Sequence, residues 1–121
     1  MRNLKSVEIK AFIPCKDFEL SKSFYQDMGF TKGWDSDGMA YFHHRNCSFL
    51  LQDFYVADHA NNFMMHLLVE DVDAWFRKVM SSGLGEKYNV KITQVEDQPW
   101  GMRDFVVIDP TGVLWRIGQN I

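Results

Sequence analysis

Four histidines and two cysteines are the side chains of this chain that most readily hold a metal ion. Cys15 and Cys47 lie far apart and form no Cys-x-x-Cys pair, so they indicate neither a zinc motif nor a disulfide framework. His43 and His44 are adjacent on a predicted strand, where neighbouring side chains point to opposite faces. His59 falls in a polar segment, where solvent exposure is expected. These positions predict no metal pair.

Local signatures of several enzyme classes are absent from the sequence. The chain contains no Gly-x-Gly-x-x-Gly loop, no P-loop, no Gly-x-Ser-x-Gly elbow and no His-Glu-x-x-His pair. The carboxylates of Glu70, Asp71 and Asp73 cluster at the start of a predicted helix, where capping and the helix dipole explain them. We therefore predict no catalytic residues.

Aromatic side chains offer flat surfaces for an aromatic ligand. Trp100 and Met102 flank a glycine in a loop before a predicted strand. Trp100 either forms such a wall, or packs beneath its own loop or at a dimer interface. Trp34, on a short predicted strand, is expected to line a ligand-binding groove from the side opposite Trp100. The weaker aromatic candidates for the groove are Tyr41 and Phe49, and those expected in the core are Trp75 and Trp115.

Composition limits the class of protein. The 121 residues are 46% hydrophobic, 24% charged and 15% aromatic, which is typical of a globular domain. The net charge of −3 and the lack of a basic run argue against nucleic-acid binding. No apolar run is long enough to span a membrane, and the N-terminus does not resemble a signal peptide. We expect a cytoplasmic protein with two reduced thiols.

The chain repeats itself weakly. Asp17 falls on Asp71 and Gly29 falls on Gly83, both 54 positions later. In each copy the aspartate is a good helix N-cap and the glycine a natural helix stop. The apolar stripes between them predict one helix per copy, and they consist of Leu20, Phe24 and Met28 in the first copy and Val72, Phe76 and Val79 in the second.

Runs of apolar and β-branched residues around the two helices predict the strands. Turn residues at 36–38, at 45–46 and at 109–112 separate several of them. The predicted strands are 7–13, 31–35, 39–45 and 48–54 in the first copy and 64–69, 90–95, 103–108 and 113–118 in the second.

This order predicts an α+β fold of two βαβββ modules that form a curved mixed sheet around a central cup, with the helices on the outer face. A single domain of residues 1–121 is expected. It would comprise a first module of about 5–54, a flexible polar linker of 55–62 and a second module of about 63–121. Ligand sites favour concave places between repeated elements, so the cup is the predicted site.

Several stretches carry a family resemblance. They are FIP at 12–14 with SFY at 23–25, HLLVEDVDAW at 66–75, PWGMRDF at 99–105 and DPTGVLW at 109–115. With the predicted layout, they resemble the glyoxalase/bleomycin resistance/extradiol dioxygenase superfamily, also called the vicinal-oxygen-chelate superfamily. The third stretch, followed by the fourth, is most similar to the bleomycin-resistance-like branch. The resemblance covers nearly the whole chain.

The resemblance implies four metal-ligand positions on the first and last strands of the modules, which are His, Glu or Gln in metal-dependent members. In this sequence they fall on Lys10, Leu50, Met64 and Arg116. Two cations and two apolar side chains cannot hold a divalent ion. We therefore predict no metal and no cofactor.

A shift in this alignment leaves one alternative open. His66 lies on the face of Met64, and Gln52 lies on the face of Leu50, so His66 and Gln52 form a residual polar pair in the cup. An acid such as Glu8 would have to join them to make a metal site. His66 is otherwise expected to be a hydrogen-bonded cup or interface histidine, or to contact the ligand.

The two cations of the cup need partners, since an unpaired buried charge is costly. Arg116 pairs with Asp104 or Glu8, or the cations meet an anionic group of the ligand. Phe12 shares the face of Lys10 and is expected to line the cup.

Two functions follow. The first is a metal-free protein that sequesters an aromatic or cationic ligand between modules or subunits. The resemblance suggests an antibiotic such as bleomycin, a large cationic glycopeptide, and a metabolite is a further possibility. The alternative is a metal-dependent glyoxalase, lyase or dioxygenase. Bleomycin resistance proteins are dimers, so a homodimer, with or without exchanged modules, is expected, and neither a nucleic acid nor a membrane is an expected partner.

Overall fold

The structure is a computed structural model, and it describes residues 2–121. The order βαβββ occurs twice. The first module contains β1 (Phe12–Cys15), α1 (Phe18–Met28), β2 (Thr31–Ser36), β3 (Met39–His44) and β4 (Cys47–Asp53). Helix α2 (Ala57–Asn61) leads to the second module, which contains β5 (Met64–Leu68), α3 (Val72–Ser81), α4 (Leu84–Lys87), β6 (Glu96–Gln98), β7 (Met102–Ile108) and β8 (Leu114–Asn120).

Each module has its own four-stranded sheet. The strand orders are β1-β4-β3-β2 and β5-β8-β7-β6. In both sheets the first and last strands of the module pair in parallel, and the other pairs are antiparallel. The predicted α+β fold of two βαβββ modules with mixed sheets is confirmed. The two sheets are hydrogen-bonded separately.

The two predicted helices begin at equivalent residues. Asp17 accepts a hydrogen bond from the Leu20 backbone N–H at 3.1 Å, and Asp71 accepts one from the Ala74 N–H at 3.0 Å. Gly29 ends α1 as predicted, with φ 125°. Gly83 does not end α3 directly, because Ser82 caps it and Gly83 begins α4 instead. The sequence did not predict α4.

The first predicted strand is shorter than expected. Strand β1 begins at Phe12, and residues 2–11, which we call the N-terminal arm, lie outside any helix or strand. Val7 and Ile9 are 92% and 96% exposed, so the apolar residues that suggested a strand have no packing partner among residues 2–121.

The predicted strand at 90–95 is also wrong. Two backbone hydrogen bonds tie this segment to β7, from the Thr93 N–H to the Val106 carbonyl and from the Ile108 N–H to the Lys91 carbonyl. A single isolated β-bridge pairs Ile92 with Val107. Val90, Ile92 and Val95 pack against the core, which explains their apolar pattern without a ladder. The strand that pairs with β7 is β6, a few residues later.

The linker between the modules contains a short helix. It was predicted to be a polar and flexible connection, but Ala60 of α2 is completely buried. The Asn62 side-chain amide donates to the Asp58 carbonyl at 2.7 Å and closes the helix. A small apolar residue among polar ones therefore anchors this segment to the body of the protein.

Aromatic rings join the two modules. Trp115 of β8 is 2% exposed, and its ring lies 5.7 Å from that of Tyr25 and 5.4 Å from that of Phe49. Trp115 is in the core, as expected. Phe49, a weaker candidate for the groove, was wrongly placed there, because it is 1% exposed and faces α1. The modules thus meet through their helix-covered faces.

A buried polar network crosses the same interface. The Tyr25 hydroxyl donates to Asp109 at 2.5 Å and accepts from the Trp115 ring N–H at 2.9 Å. The other Asp109 oxygen accepts from the backbone N–H groups of residues 111–113, which makes the predicted turn. Burial raises the pKa of Tyr25 well above its usual value, so its hydroxyl stays a donor.

Both cysteines are free. Cys15 is buried, its thiol donates to the Gln52 carbonyl at 3.2 Å, and burial raises its pKa to about 12. Such a thiol is an inert core residue. Within residues 2–121, no helix has the length and apolar character needed to cross a membrane.

Candidate ligand-binding site

One face of each sheet is left open. Because the sheets meet through their helix-covered faces, around Tyr25 and Trp115, the opposite faces point away from each other. We name them the first and second open faces. Strand alternation and register place Phe12, Trp34, Tyr41, His43, Ser48, Leu50 and Gln52 on the first, and Met64, His66, Leu68, Met102, Asp104, Val106, Leu114, Arg116 and Gly118 on the second.

Three rings form a row on the first open face. The Trp34 ring lies 6.1 Å from the Tyr41 ring, at an angle of 16° between their planes. The Tyr41 ring lies 5.5 Å from His43, at 26°. Trp34 is 48% exposed. We call these three residues the aromatic row, and their near-parallel planes can stack with a flat ligand.

A bulge at Gly33 positions Trp34. In a regular strand Lys32 and Trp34 would share a face, but the β2–β3 register shifts between them. Lys32 therefore remains on the helix side, where it binds Asp35 at 3.2 Å, and Trp34 turns to the first open face. A Cβ on Gly33 would lie 2.7 Å from the Tyr41 ring. Glycine thus allows both the bulge and the stacking of the rings.

The N-terminal arm contacts the aromatic row. The Glu8 carboxylate accepts a hydrogen bond from the Tyr41 hydroxyl at 2.8 Å and another from Ser48. The bond from Ser48 is the main cause that lowers the pKa of Glu8. Lys10 binds Glu8 at 3.3 Å and lies over the Tyr41 ring at 5.3 Å. The arm therefore covers part of the first open face with a paired acid and base.

The remaining predicted residues of the first open face lie on its parallel strand pair. Phe12 is directly opposite Leu50 in the ladder, and Gln52 is opposite Pro14. Phe12 is 50% exposed and Leu50 only 8%. Phe12 is therefore accessible on the first open face, whereas Leu50 is buried beneath it.

Arg116 lies at the centre of the second open face. Its guanidinium donates to Asp104 at 2.9 Å, and the Gln98 amide donates to the other Asp104 oxygen at 3.0 Å. Asp104 is 2% exposed. Of the two acids proposed as partners from the sequence, Arg116 uses Asp104, and Glu8 uses Lys10. His66 is directly opposite Arg116 on the neighbouring strand.

Three more predicted contact residues lie on or beside the second open face. Met102 packs over Gly118, where a Cβ would come within 2.9 Å of the Met102 methyl carbon. Trp100, in the turn before β7, is 61% exposed, so packing beneath its own loop does not account for it. Met64, also 61% exposed, flanks His66 on β5.

The four positions implied by the family resemblance do not converge. Leu50 and Lys10 belong to the first module, Lys10 lies on the N-terminal arm, and Met64 and Arg116 belong to the second sheet. Gln52 and His66 are likewise on different sheets, whose open faces point apart. Among residues 2–121, no three His, Cys, Asp or Glu side chains are close enough to hold a metal ion.

Sequence reasoning missed several residues of the open faces. His43 was treated only as a metal candidate, and Ser48 and Gln98 were not considered. Alternation from Tyr41 leads to His43, and alternation from Leu50 leads to Ser48, so both were accessible. Trp75, expected in the core, is half-buried, and its ring packs edge-on against His44 at 5.1 Å. The two adjacent histidines face opposite sides, as predicted.

Comparison with protein families agrees with this architecture. Residues 7–117 match the model described as the Glyoxalase/Bleomycin resistance protein/Dioxygenase superfamily. An uncharacterized protein of Mycobacterium bovis is 42% identical over 57 residues, which are 47% of this chain and 34% of that protein. The matched segment spans about a third of this curated relative's length.

Solved structures share the whole fold. A bleomycin-binding protein in complex with bleomycin has a TM-score of 0.81 at 22% identity, covering 96% of this chain and 100% of that one. An antibiotic-binding protein from Streptomyces has a TM-score of 0.77 at 23% identity, covering 99% and 100%. At this level of identity the similarity concerns the fold.

Proposed function

Because the chain belongs to the glyoxalase/bleomycin resistance protein/dioxygenase superfamily, we propose that it binds a flat aromatic small molecule on its open faces and leaves that molecule chemically unchanged. Two relatives of the same fold, named for binding bleomycin or an antibiotic, support a binding role. The fold similarity does not identify the ligand, so the suggestion that the ligand is an antibiotic belongs to this proposal.

The aromatic row is the observation that carries the proposal. Its tryptophan, tyrosine and histidine planes are near-parallel, and Trp34 is 48% exposed while Tyr41 and His43 are half-buried. A half-exposed tryptophan held in place by a bulge loses apolar contact with water when a planar ligand covers it. Trp34 packs against the Tyr41 ring, and nearly half of its side chain still remains exposed.

An aromatic ligand fits better than a purely cationic one. Both were open from the sequence, but the acid beside the aromatic row and the acid at the centre of the second open face already have cationic partners. Glu8 binds Lys10, and Asp104 binds Arg116. A cationic ligand would have to displace one of these partners.

A second copy of the chain would complete the site. Each open face is a single wall, and exposed apolar side chains remain on both of them. A two-fold contact places the first open face of one copy opposite the second open face of the other. The apolar exposed residues that such a dimer would cover include Val7, Ile9, Phe12, Met64 and Leu68. We therefore propose a homodimer with two equal sites.

The alternative function is a metal-dependent lyase or dioxygenase. It needs three or four converging ligands, and the donor groups described above do not supply them. No observation on the open faces favours this alternative over binding.

The experiment is a calorimetric titration of chelator-treated protein with anthracene methanol, a neutral flat probe. We expect saturable binding near one probe per chain, at micromolar affinity or about −8 kcal/mol. Trp34→Ala should weaken it about tenfold, because one stacking wall is removed. The matched control is Phe54→Ala, which removes a similarly exposed aromatic side chain that is not part of the aromatic row. If the titration shows no saturable heat of binding, the proposal is wrong.

Metal-free bleomycin is the second titrant. Saturable binding would place the natural ligand among bleomycin-like antibiotics. Binding of the flat probe without binding of bleomycin would retain the aromatic site and remove the antibiotic assignment.

A further inference from the structure

Arg116 is a cation in an otherwise mostly apolar setting. Its strand neighbours Trp115 and Ile117 are buried on the helix side, so Arg116 faces the second open face, where 30% of its side chain is exposed. On the same face, Leu114 and Gly118 flank it along β8. Val106 is directly opposite on β7. A charge on such a surface is less screened than one surrounded by water.

The guanidinium is held from one side only. Asp104 accepts from a single terminal nitrogen of Arg116 at 2.9 Å, and Gln98 holds the second Asp104 oxygen. A guanidinium carries five N–H donors. Among residues 2–121, no other acceptor bonds to those of Arg116. Asp104 therefore orients the group and leaves most of its donors available.

The groups nearby favour a single negative charge on the ligand. His66, exposed and directly opposite Arg116, is a second donor. Glu96 is opposite Asp104 on edge strand β6. It is solvent-exposed and two strands away from Arg116, so water screens its repulsion. Asp104 balances the single positive charge of Arg116, so the site offers N–H donors and no net charge. A singly charged carboxylate is therefore repelled less by Asp104 than a doubly charged phosphate.

We propose that Arg116, with His66 beside it, binds a carboxylate carried by the aromatic ligand, whose ring stacks on the aromatic row of the second copy in the proposed dimer. This inference rests on the proposed function and gives its ligand a chemical class, the aromatic carboxylates. Asp104 and Gln98 are positioning residues, since they touch Arg116 or each other and not the ligand. A planar carboxylate matches the planar fork of a guanidinium. The ligand thus differs in charge from a cationic antibiotic.

The test compares three anthracenes that carry a carboxylate, a hydroxymethyl or an ammoniomethyl group on the central ring. In the wild-type protein the carboxylate should bind about 10- to 100-fold more tightly than the alcohol, and the ammonium should bind most weakly. Arg116→Gln should abolish this preference, so that the carboxylate binds no more tightly than the alcohol. The matched control, Arg103→Gln, removes an arginine bound to Asp73 and Asp97 on the helix side and should keep the preference.

Arg116→Gln leaves Asp104 without its cation, so a second variant guards against misfolding. Arg116→Lys keeps a charge beside Asp104 but loses the fork, and it should retain only part of the preference. A direct readout is the Arg116 side-chain N–H resonance in NMR spectra, which should shift with the carboxylate and not with the alcohol.

The outcomes separate the two proposals. Equal affinity for all three probes would overturn the carboxylate inference and leave aromatic binding intact. Absence of binding by any probe would remove both. If Arg116→Gln dissociates a dimer and leaves the preference unchanged, the guanidinium pairs with an acid of a second copy, and the inference is wrong.

Discussion

Trp100 and Trp115 both belong to the second module, but removing their side chains is expected to have opposite effects. Trp100 is 61% exposed and Trp115 is 2% exposed. Trp100→Ala should weaken binding of the flat probe several-fold and change the melting temperature little, because almost no core contact is lost. Trp115→Ala, the contrasting variant, should cost about 3–5 kcal/mol in urea denaturation. A large stability loss on removal of Trp100 would show that it packs in the folded protein instead.

Tyr25 connects the modules through one hydroxyl. In Tyr25→Phe both Asp109 and the Trp115 ring N–H lose a partner inside the core. We expect the free energy of unfolding to fall by about 2–3 kcal/mol, measured by urea denaturation. Tyr41→Phe is the matched control, because its hydroxyl binds Glu8 at the surface, and it should cost less than about 1 kcal/mol. Equal losses would mean that the buried network does not stabilise the module interface.

At the level of strands, the bulge in β2 decides what the first open face presents. Gly33→Ala places a Cβ 2.7 Å from the Tyr41 ring, so the ring must move and the aromatic row loses its stacking. Near-UV circular dichroism should change and probe binding should weaken, while the melting temperature stays nearly constant. Gly85→Ala is the control, because the atoms nearest to its added Cβ lie 3.7 Å away. It should leave the near-UV spectrum and the probe binding unchanged. An intact near-UV spectrum in Gly33→Ala would contradict this account.

Helices α1 and α4 are joined by Asp27, which accepts hydrogen bonds from Lys87 at 2.7 Å and from the Tyr88 hydroxyl at 2.5 Å. The Lys87 bond is the main cause that lowers the pKa of Asp27 from its ordinary value of 3.8. A lowered carboxyl pKa stabilises the folded state above 3.8, and this contribution is lost as the pH falls through the folded-state pKa.

Asp27→Asn should therefore lower the free energy of unfolding by up to about 1 kcal/mol near neutral pH. The difference from wild type should shrink toward zero as the pH falls below 3.8. Urea denaturation at several pH values measures it. The control is Asp58→Asn, which removes an exposed acid of α2 without an ion pair among residues 2–121 and should leave the free energy of unfolding nearly unchanged.

The proposed dimer is a property of the whole molecule. Sedimentation equilibrium should give twice the chain mass of 14.2 kDa. Leu68→Glu and Met64→Glu, which place charges on the second open face, should give the monomer mass with an unchanged circular dichroism spectrum. Met80→Glu, on the outer side of α3, is the control and should remain dimeric. A wild-type chain of monomer mass would overturn the proposed dimer, because no second copy would then supply the opposite wall of the site.

Local features of this molecule followed from the sequence, and distant ones did not. The aspartate caps, the glycine stop of α1 and the turn at Asp109 each depend on a few neighbouring residues, and they were predicted correctly. The contact between Tyr25 and Trp115 joins residues far apart in the chain, and no periodicity encodes it. Val7 and Ile9 illustrate a different failure, since alternation looks the same whether or not the chain supplies a neighbour.

For the candidate site, too, the sequence indicated local features but not contacts between distant residues. Residue types placed Trp34 and Arg116 among the candidates, and alternation gave the face of Arg116. The partner of Arg116 remained open, because choosing between Asp104 and Glu8 requires knowing which sheet carries each acid. The bulge at Gly33 had a signal, a glycine inside a predicted strand, but its effect on Trp34 depends on the pairing with β3.

The repeated aspartate caps have an evolutionary meaning. Two modules with the same start signals, 54 residues apart, are expected if an ancestral gene segment was duplicated and fused. After duplication, one copy can keep the residues that determine its fold while the outward side chains of the other copy mutate freely. Here the first copy displays rings and the second a guanidinium. Since the caps, the helix stripes and the buried network specify folding from within, a new ligand can be acquired by changing outward residues alone.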